Sequence, residues 1–181
     1  LCKNVKQNIR TCHIPVIILS AKTDIKDQME GLQMGADDYI PKPFSLAILT
    51  TKIQNIMRTR RRMLDKYAKS LEVEPEKITF NAMDEALLKR AMAIVEKNMD
   101  NIEFSTDEFA REMNMSRSNL HLKLKAITGE STIDFIRKIR FNEAAKLLKD
   151  GRYTVAEVST MVGFNTPSYF ATSFMKYFGC L

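Results

Sequence analysis

The residues best placed to do chemistry form a short outward stripe that occurs twice. In Ser116 to Gly129, SRSNLHLKLKAITG, the stripe is Arg117, Ser118, His121, Leu122 and Lys125. In Thr166 to Gly179, TPSYFATSFMKYFG, it is Pro167, Ser168, Ala171, Thr172 and Met175. Behind each stripe apolar residues recur at helical spacing, the mark of a buried helical face. Leu120, Leu124 and Ile127 fall on Phe170, Phe174 and Tyr177 at one fixed offset, and Gly129 falls on Gly179. Ser116 and Thr166 open the copies with a hydroxyl fit to cap a helix. Pro167 follows the second cap, where a missing N–H costs nothing. Short polar and methyl-bearing side chains on an exposed helical stripe can read base edges in a duplex major groove. Arg117 and His121 are the expected base readers and Lys125 the expected phosphate contact, with Ser118, Leu122, Ser168 and Thr172 completing the set.

Each stripe needs a helix and a tight turn before it. Ser105 or Thr106 starts a helix with Phe109, Ala110 and Met113 inward, and Asn114-Met115 turn into the first stripe. Thr154 to Val162, with Val155 and Val158 inward, repeats that preface, and Gly163-Phe164-Asn165 make a turn one residue longer. Glycine supplies the backbone freedom such a turn needs, so Gly163 is a structural candidate. Helix, tight turn and capped helix make a helix-turn-helix. Between the copies, Ile133 to Lys149 reads as a long helix with two apolar faces. One carries Ile133, Ile136, Ala144, Leu147 and Leu148; the other carries Phe135 and Ile139. Two apolar faces imply burial between two subdomains. Arg140 lies in line with Ile136 and Ala144, so it must find a carboxylate or carbonyls inside the protein. At about 18 residues this helix spans roughly 27 Å, compatible with placing two probes about one DNA turn, ~34 Å, apart.

Upstream the pattern changes. Ile14 to Leu19 is a short apolar, β-branched run ending at Ser20-Ala21, as a buried parallel strand does. A helix capped by Thr23 or Asp24 runs through Leu32 to Gly35; Asp38-Tyr39-Ile40 form a second strand, closed by Pro41-Lys42-Pro43. A long helix from Phe44 or Ser45, with Ala47/Ile48, Thr51, Ile53 or Gln54 and Ile56/Met57 inward, runs into a basic cluster of Arg58, Arg60, Arg61, Arg62, Lys66 and Lys69. That cluster carries most of the formal charge of +6 and reads either as a solvated helix end or as a phosphate contact. Glu72 to Lys77 contains Pro75 and breaks the helix. Asp84 to Asn98 is then amphipathic, with Leu87, Leu88, Ala91, Ile94 and Val95 inward.

With 45% hydrophobic and 28% charged residues the composition is that of a soluble globular chain, not a disordered one. No apolar run reaches the ~20 residues of a membrane helix. Leu1 opens the sequence and no signal core follows, so the chain reads as an internal segment of a longer polypeptide. Three scattered cysteines favour reduced thiols and a cytoplasmic setting. His13 and His121 lie too far apart to assemble a metal site by spacing, and no cofactor is indicated. No P-loop, dinucleotide glycine pattern or nucleophile–base pair appears, which argues against an enzyme.

PVIILSAKTD followed by GADDYIPKPF resembles the second half of a response-regulator receiver domain. The resemblance implies that Ser20 bonds a phosphoryl oxygen and that Lys42 pairs with its charge. It also implies that Tyr39 is the switching aromatic and that the Lys42–Pro43 bond is cis. The strands that would carry the acidic pair and phosphoacceptor are not represented, and no Asp precedes Asp24, so phosphorylation of this chain in the usual way is not expected. Two strands with their helices lack the partners of a stable sheet, so this part is expected to pack on another copy or on the helical domain. AREMNMSRSNL…LKAITG together with VGFNTPSYFATSFMKYFG resembles the DNA-binding domain of the AraC family. That family often has arginine at Leu122 and Thr172 and lysine at Met175, and usually continues into a short closing helix.

The expected fold is mainly α. An all-α domain with two helix-turn-helix units joined by a long helix follows an incomplete flavodoxin-like α/β receiver fragment. Residues 1–57 form the partial receiver, 58–80 a basic helical linker, and 81–181 the AraC-type domain. Similar linkers occur in hybrid two-component proteins, which implies a transcription regulator of a phosphorelay that binds double-stranded DNA. The implied partners are a second copy through the receiver fragment, an upstream histidine kinase in a parent protein anchored at the inner membrane, and RNA polymerase. The alternative is a receiver-derived dimerisation module whose DNA-binding domain is idle or autoinhibited.

Overall fold

The computed structural model describes residues 1–69, 73–79 and 81–179. The linker positions Ser70, Leu71, Glu72 and Phe80 and the terminal Cys180 and Leu181 lie outside the described residues. The chain divides into two compact units, Leu1–Lys69 with Pro75–Ala86 and Ser70–Glu74 with Leu87–Leu181.

The first unit begins with α1 (Cys2–Gln7), β1 (Ile17–Ser20), α2 (Ile25–Gln33) and β2 (Asp38–Pro41). The strands pair in parallel, from Ile17 opposite Asp38 to Ser20 opposite Pro41, with α2 as the crossover a parallel pair requires. Asp37 ties the sheet entrance together, accepting from the Val16 N–H at 2.8 Å and the Lys6 Nζ at 2.5 Å. The long α3 (Leu46–Lys69) follows. Of the side chains expected inward, Ala47, Ile48, Thr51, Ile53, Gln54 and Met57 are exposed and only Ile56 of that set is half-buried. The helix docks through a different line that includes Lys52, Arg60 and the buried Tyr67. Both Asp38 oxygens accept from the Lys52 Nζ at 2.7 Å, and Arg60 donates to the His13 carbonyl. Those polar contacts fix the rotation of α3, and among the described residues the two-stranded sheet offers no further strand for the apolar side to cover. Arg60 thus leaves the solvated cluster, and burial pulls its pKa down against the fields of Asp37 and Asp84. Arg58, Arg61, Arg62 and Lys66 remain exposed. A single turn, α4 (Pro75–Ile78), places Pro75 at its start, where proline is tolerated.

The second unit is all helical: α5 (Ala82–Lys97) from Leu87 onward, α6 (Thr106–Glu112), α7 (Arg117–Thr128), α8 (Thr132–Asp150), α9 (Val155–Met161) and α10 (Pro167–Phe178). Leu87, Leu88, Ala91, Ile94 and Val95 are buried on α5. Two aromatic centres organise the rest, and α8 supplies one residue to each. Phe135 stacks on Phe109 with ring centroids 6.3 Å apart. Two turns on, Phe141 meets Phe164, Phe170, Phe174 and Tyr177 at 5.4 to 6.1 Å. Phe141, Ala144, Val158, Val162, Phe170 and Phe174 form that second core. The expected faces of α8 are therefore shifted: Phe141 joins the interior, and Ile133, 53% exposed, leaves it. Ile133 sits in the first turn of α8, ahead of the stretch enclosed on both sides. Val155 is likewise exposed at the first position of α9.

Candidate nucleic-acid interface

Each stripe-bearing helix, α7 and α10, follows a helix whose start is locked twice. Ser105 caps α6 by accepting from the Glu108 N–H, while Glu108 accepts from the Ser105 N–H at 3.0 Å. Thr154 and Glu157 make the same reciprocal pair at α9. Such capping boxes satisfy two otherwise orphaned donors at once. Ser-x-x-Glu and Thr-x-x-Glu were available in the sequence as signals for both. The Thr154 amide and hydroxyl hold the Glu157 carboxyl below the usual carboxylate range.

The two turns solve one problem with different residues. Asn114 takes a left-handed φ of 56° in the first and Gly163 a φ of 73° in the second. Asparagine tolerates that region because its short polar side chain can bond locally. Glycine is required at 163 for a second reason. A Cβ there would sit 2.6 Å from the Met99 carbonyl oxygen and 2.7 Å from the Arg140 guanidinium carbon. Arg140 is buried and donates to the carbonyls of Gly163 (3.0 Å), Asn98 (3.2 Å) and Asn101 (2.7 Å). Burial lowers its pKa, with Asp100 opposing. One guanidinium from the connecting helix thereby ties the second turn to the loop after α5.

Leu120, Leu124 and Ile127 on α7 and Phe170 and Phe174 on α10 are buried, while Tyr177 is 37% exposed. Burial and the Glu130 carboxylate push the Tyr177 hydroxyl up to about 12. Gly129 and Gly179 end the two helices in the left-handed conformation. The caps differ. Ser116 accepts from the Asn119 N–H at 3.3 Å, whereas Thr166 makes no side-chain cap. The longer turn brings Thr166 in at φ −124°, ψ 111°, against −69°, 151° at Ser116.

The stripes lie outward. Arg117, Ser118, Leu122 and Lys125 are exposed on α7 and His121 is half-buried; Ser168, Thr172 and Met175 are exposed on α10. Arg117 makes a surface pair with Asp107 at 3.4 Å. The Thr172 hydroxyl donates to the Ser168 carbonyl at 2.9 Å, which leaves it as an acceptor toward a ligand. Lys123 stands among the stripe residues in sequence but is buried. Lys138, also buried, pairs with Glu130 at 3.2 Å; burial lowers its pKa while Glu130 raises it. Beside the α7 stripe lies a groove of about 490 Å³, into which Arg117, Ser118, His121 and Leu122 face Thr132 and Ile133 of α8. One turn along α8 from Ile133, Arg137 reaches the Tyr169 hydroxyl of α10 at 3.5 Å. Both α7 and α10 therefore border one outward line of the connecting helix. Sequence reasoning missed Thr132, Arg137 and Tyr169, because side-chain spacing along one helix does not reveal its neighbours.

Residues 109–181 match the helix-turn-helix domain family and residues 1–54 match the response regulator receiver domain family. Histidine kinase P4 of Formosa agariphila is 39% identical over 178 residues, which cover 98% of this chain and 13% of that protein. Response regulator ArlR of Staphylococcus aureus is 34% identical over 91 residues, covering 49% of this chain and 40% of that protein. The chain thus spans well under half the length of these relatives. A solved AraC-type transcriptional regulator from Chromobacterium violaceum shares the fold, with 24% identity and a TM-score of 0.50, over 55% of this chain and 88% of that one. The chain thus joins a segment of the receiver domain family to a helix-turn-helix domain.

In the receiver fragment Ser20 and Lys42 meet at the carboxyl end of the sheet, where the Lys42 N–H donates to the Ser20 carbonyl at 2.7 Å. The Ser20 hydroxyl accepts from the Lys22 N–H at 3.1 Å, and the Lys42 side chain is free to solvent. Tyr39 is turned inward, its hydroxyl donating to the Lys22 carbonyl at 2.9 Å. The Lys42–Pro43 bond is cis.

Proposed function

We propose that this chain is the DNA-reading output end of a two-component phosphorelay protein, a sequence-specific transcription regulator that sets α7 and α10 into two successive major-groove segments. The observation that carries the reading is the shared line on α8, where Ile133 borders the α7 groove and Arg137 touches Tyr169 of α10. With 19 residues α8 is about 28 Å long at ~1.5 Å per residue, close to one DNA turn. Arg117, His121, Ser118 and Leu122 read bases from α7, and Ser168 and Thr172 from α10; Lys125 contacts a phosphate. The working DNA-binding unit is residues 81–181. It is a binding module, and any catalysis belongs to a histidine kinase upstream, as the Formosa agariphila relative's name suggests. The setting is the cytoplasmic side of a parent protein anchored in the membrane, with RNA polymerase as the further partner. Selection of binding sequences from random duplexes tests this: two half-sites about one turn apart per chain are expected. A single short site, or none, removes the two-reader mechanism.

A second reading has its own observation. Ile25, Met29, Leu46, Ile48 and Met57 on α2 and α3 are 52% to 76% exposed, an apolar cover that suits pairing of receiver fragments as a homodimer. In that reading Ser20, Tyr39, Lys42 and Pro43 are remnants of a phosphoryl switch. Sedimentation of the chain decides it, since a monomer at micromolar concentration would exclude a receiver-mediated dimer.

A further inference from the structure

The positive charge of this chain lies away from its helix-turn-helix unit. Residues 71–181 carry 15 Lys and Arg against 16 Asp and Glu, whereas residues 1–70 carry 13 against 6. Affinity for a duplex grows with the number of phosphates that cations neutralise, and the helical unit has no net surplus to supply. Most of the upstream surplus stands on the second half of α3. Arg60 is drawn inward there, donating to the His13 carbonyl and pairing with Asp37 at 3.9 Å. Arg58, Arg61, Arg62 and Lys66 are all exposed, and none makes an ion pair or side-chain hydrogen bond with a described residue. Spacings of three and four residues set them side by side on one helix face about 12 Å long. Asp65 is the one carboxylate among them. Like charges at such spacing weaken a helix, and a bound polyanion relieves that repulsion. The pull of a helix end on cations is confined to its last turn. Arg58, Arg61 and Arg62 stand about two to three turns before Lys69, so the helix end does not account for them.

We infer that this outward basic face of α3 is a second DNA-contacting surface, outside the helix-turn-helix unit, which grips the sugar-phosphate backbone flanking the segments read by α7 and α10. The inference rests on the DNA-binding reading above and adds a surface to it. A duplex presents one negative charge per ~1.7 Å of its axis, so a face of about 12 Å meets several phosphates. Residues 70–81 separate α3 from α5, a stretch that spans at most ~40 Å even when fully extended. Once the helical unit holds a duplex, that tether keeps the basic face at high effective concentration beside the same duplex. Such contacts add affinity and salt dependence and carry no sequence information.

The test compares three variants of the full chain: R58Q/R61Q/R62Q, its charge-keeping counterpart R58K/R61K/R62K, and K3Q/R10Q/K26Q, which removes as many exposed charges elsewhere in the same unit. Binding to a duplex selected by the unmodified chain is measured across a salt series. The glutamine triple on α3 is expected to bind selected and scrambled duplexes alike at least tenfold more weakly, with a plot of log affinity against log salt shallower by about 2–3. The lysine triple and the control triple should stay within about threefold of the unmodified chain and keep its slope. The unfolding midpoint should be the same for all, since the replaced side chains are exposed. If the α3 triple keeps the affinity and slope of the unmodified chain, this surface is wrong while the DNA reading stands. An equal loss from the control triple assigns the effect to net charge and overturns the inference. If the unmodified chain shows no salt-dependent duplex binding, the DNA reading falls and takes this inference with it. Binding to vesicles of equimolar phosphatidylserine and phosphatidylcholine that the α3 triple loses, with duplex affinity unchanged, makes the face a membrane contact and overturns the assignment to DNA.

Discussion

Gly163→Ala should be among the most damaging single changes in the helical unit, and the structure gives its size. Alanine at the observed φ of 73° pays the left-handed penalty, about 1–2 kcal/mol. Its methyl would also sit 2.7 Å from the Arg140 guanidinium carbon and 2.6 Å from the Met99 carbonyl oxygen. Arg140 cannot retreat without loosening bonds to the carbonyls of Gly163, Asn98 and Asn101. Loss of one hydrogen bond to a buried charged group costs about 1.5–3 kcal/mol. The total is roughly 3–5 kcal/mol. Gly151 is the internal control: its φ is 72°, but nothing lies within 4 Å of a Cβ there. Gly151→Ala should therefore lose only about 1–2 kcal/mol. Urea unfolding of both variants measures the difference, with Tm as a second readout at about 4–8 °C per kcal/mol for a domain of this size. Equal losses from the two substitutions would show that the methyl is accommodated without disturbing Arg140, and the account of the turn would be wrong.

The caps of α7 and α10 should differ in worth. Ser116→Ala should cost about 1 kcal/mol in urea unfolding, the usual value of a cap. Thr166→Ala should cost much less, because Thr166 caps nothing through its side chain. Tyr177 links stability to alkaline pH. Its folded hydroxyl titrates at about 12 against an ordinary value of 10.0, so the unfolded chain releases its proton first. Stability should be complete below pH ~10 and fall as pH rises toward ~12. Tyr177→Phe should flatten that alkaline limb in unfolding titrations; an unchanged limb would assign it to other groups. Arg117→Ala should weaken specific duplex binding by about 1–3 kcal/mol. It should leave stability nearly unchanged, since an exposed pair such as Arg117–Asp107 contributes about 0–1 kcal/mol. Fluorescence anisotropy at physiological salt checks the first part and thermal unfolding the second.

Much of the helical unit was legible in the sequence because its signals are local. The duplicated apolar spacing behind the stripes, the hydroxyl at each helix start and the glycine at each end are short-range rules that a helix obeys wherever it lies. The α5 interior was read correctly from periodicity alone. Where helices meet, periodicity failed. Phe141 went unnoticed although it is the centre of the second core, and Ile133 was expected inside. A helix enclosed on both sides has no polar face to mark its orientation. On α3 the apolar line Ile48, Ile53 and Met57 invited burial, but Lys52 and Arg60 dock on Asp38, Asp37 and the His13 carbonyl and turn that line outward. An ion pair between distant residues leaves no trace in local spacing.

By itself, the sequence determined the helix and strand segments, the twofold repetition of the striped helix and the parallel pair that ends at Ser20 and Pro41. These follow from propensity, capping and side-chain period, all of which act over a few residues. Only the tertiary structure decided that Arg140 clamps the glycine turn, that Lys123 and Lys138 are interior, and that Ile133 and Val155 stay outside the core. Those outcomes depend on which surfaces meet, and burial of a polar group is settled by partners brought together from far apart in the chain.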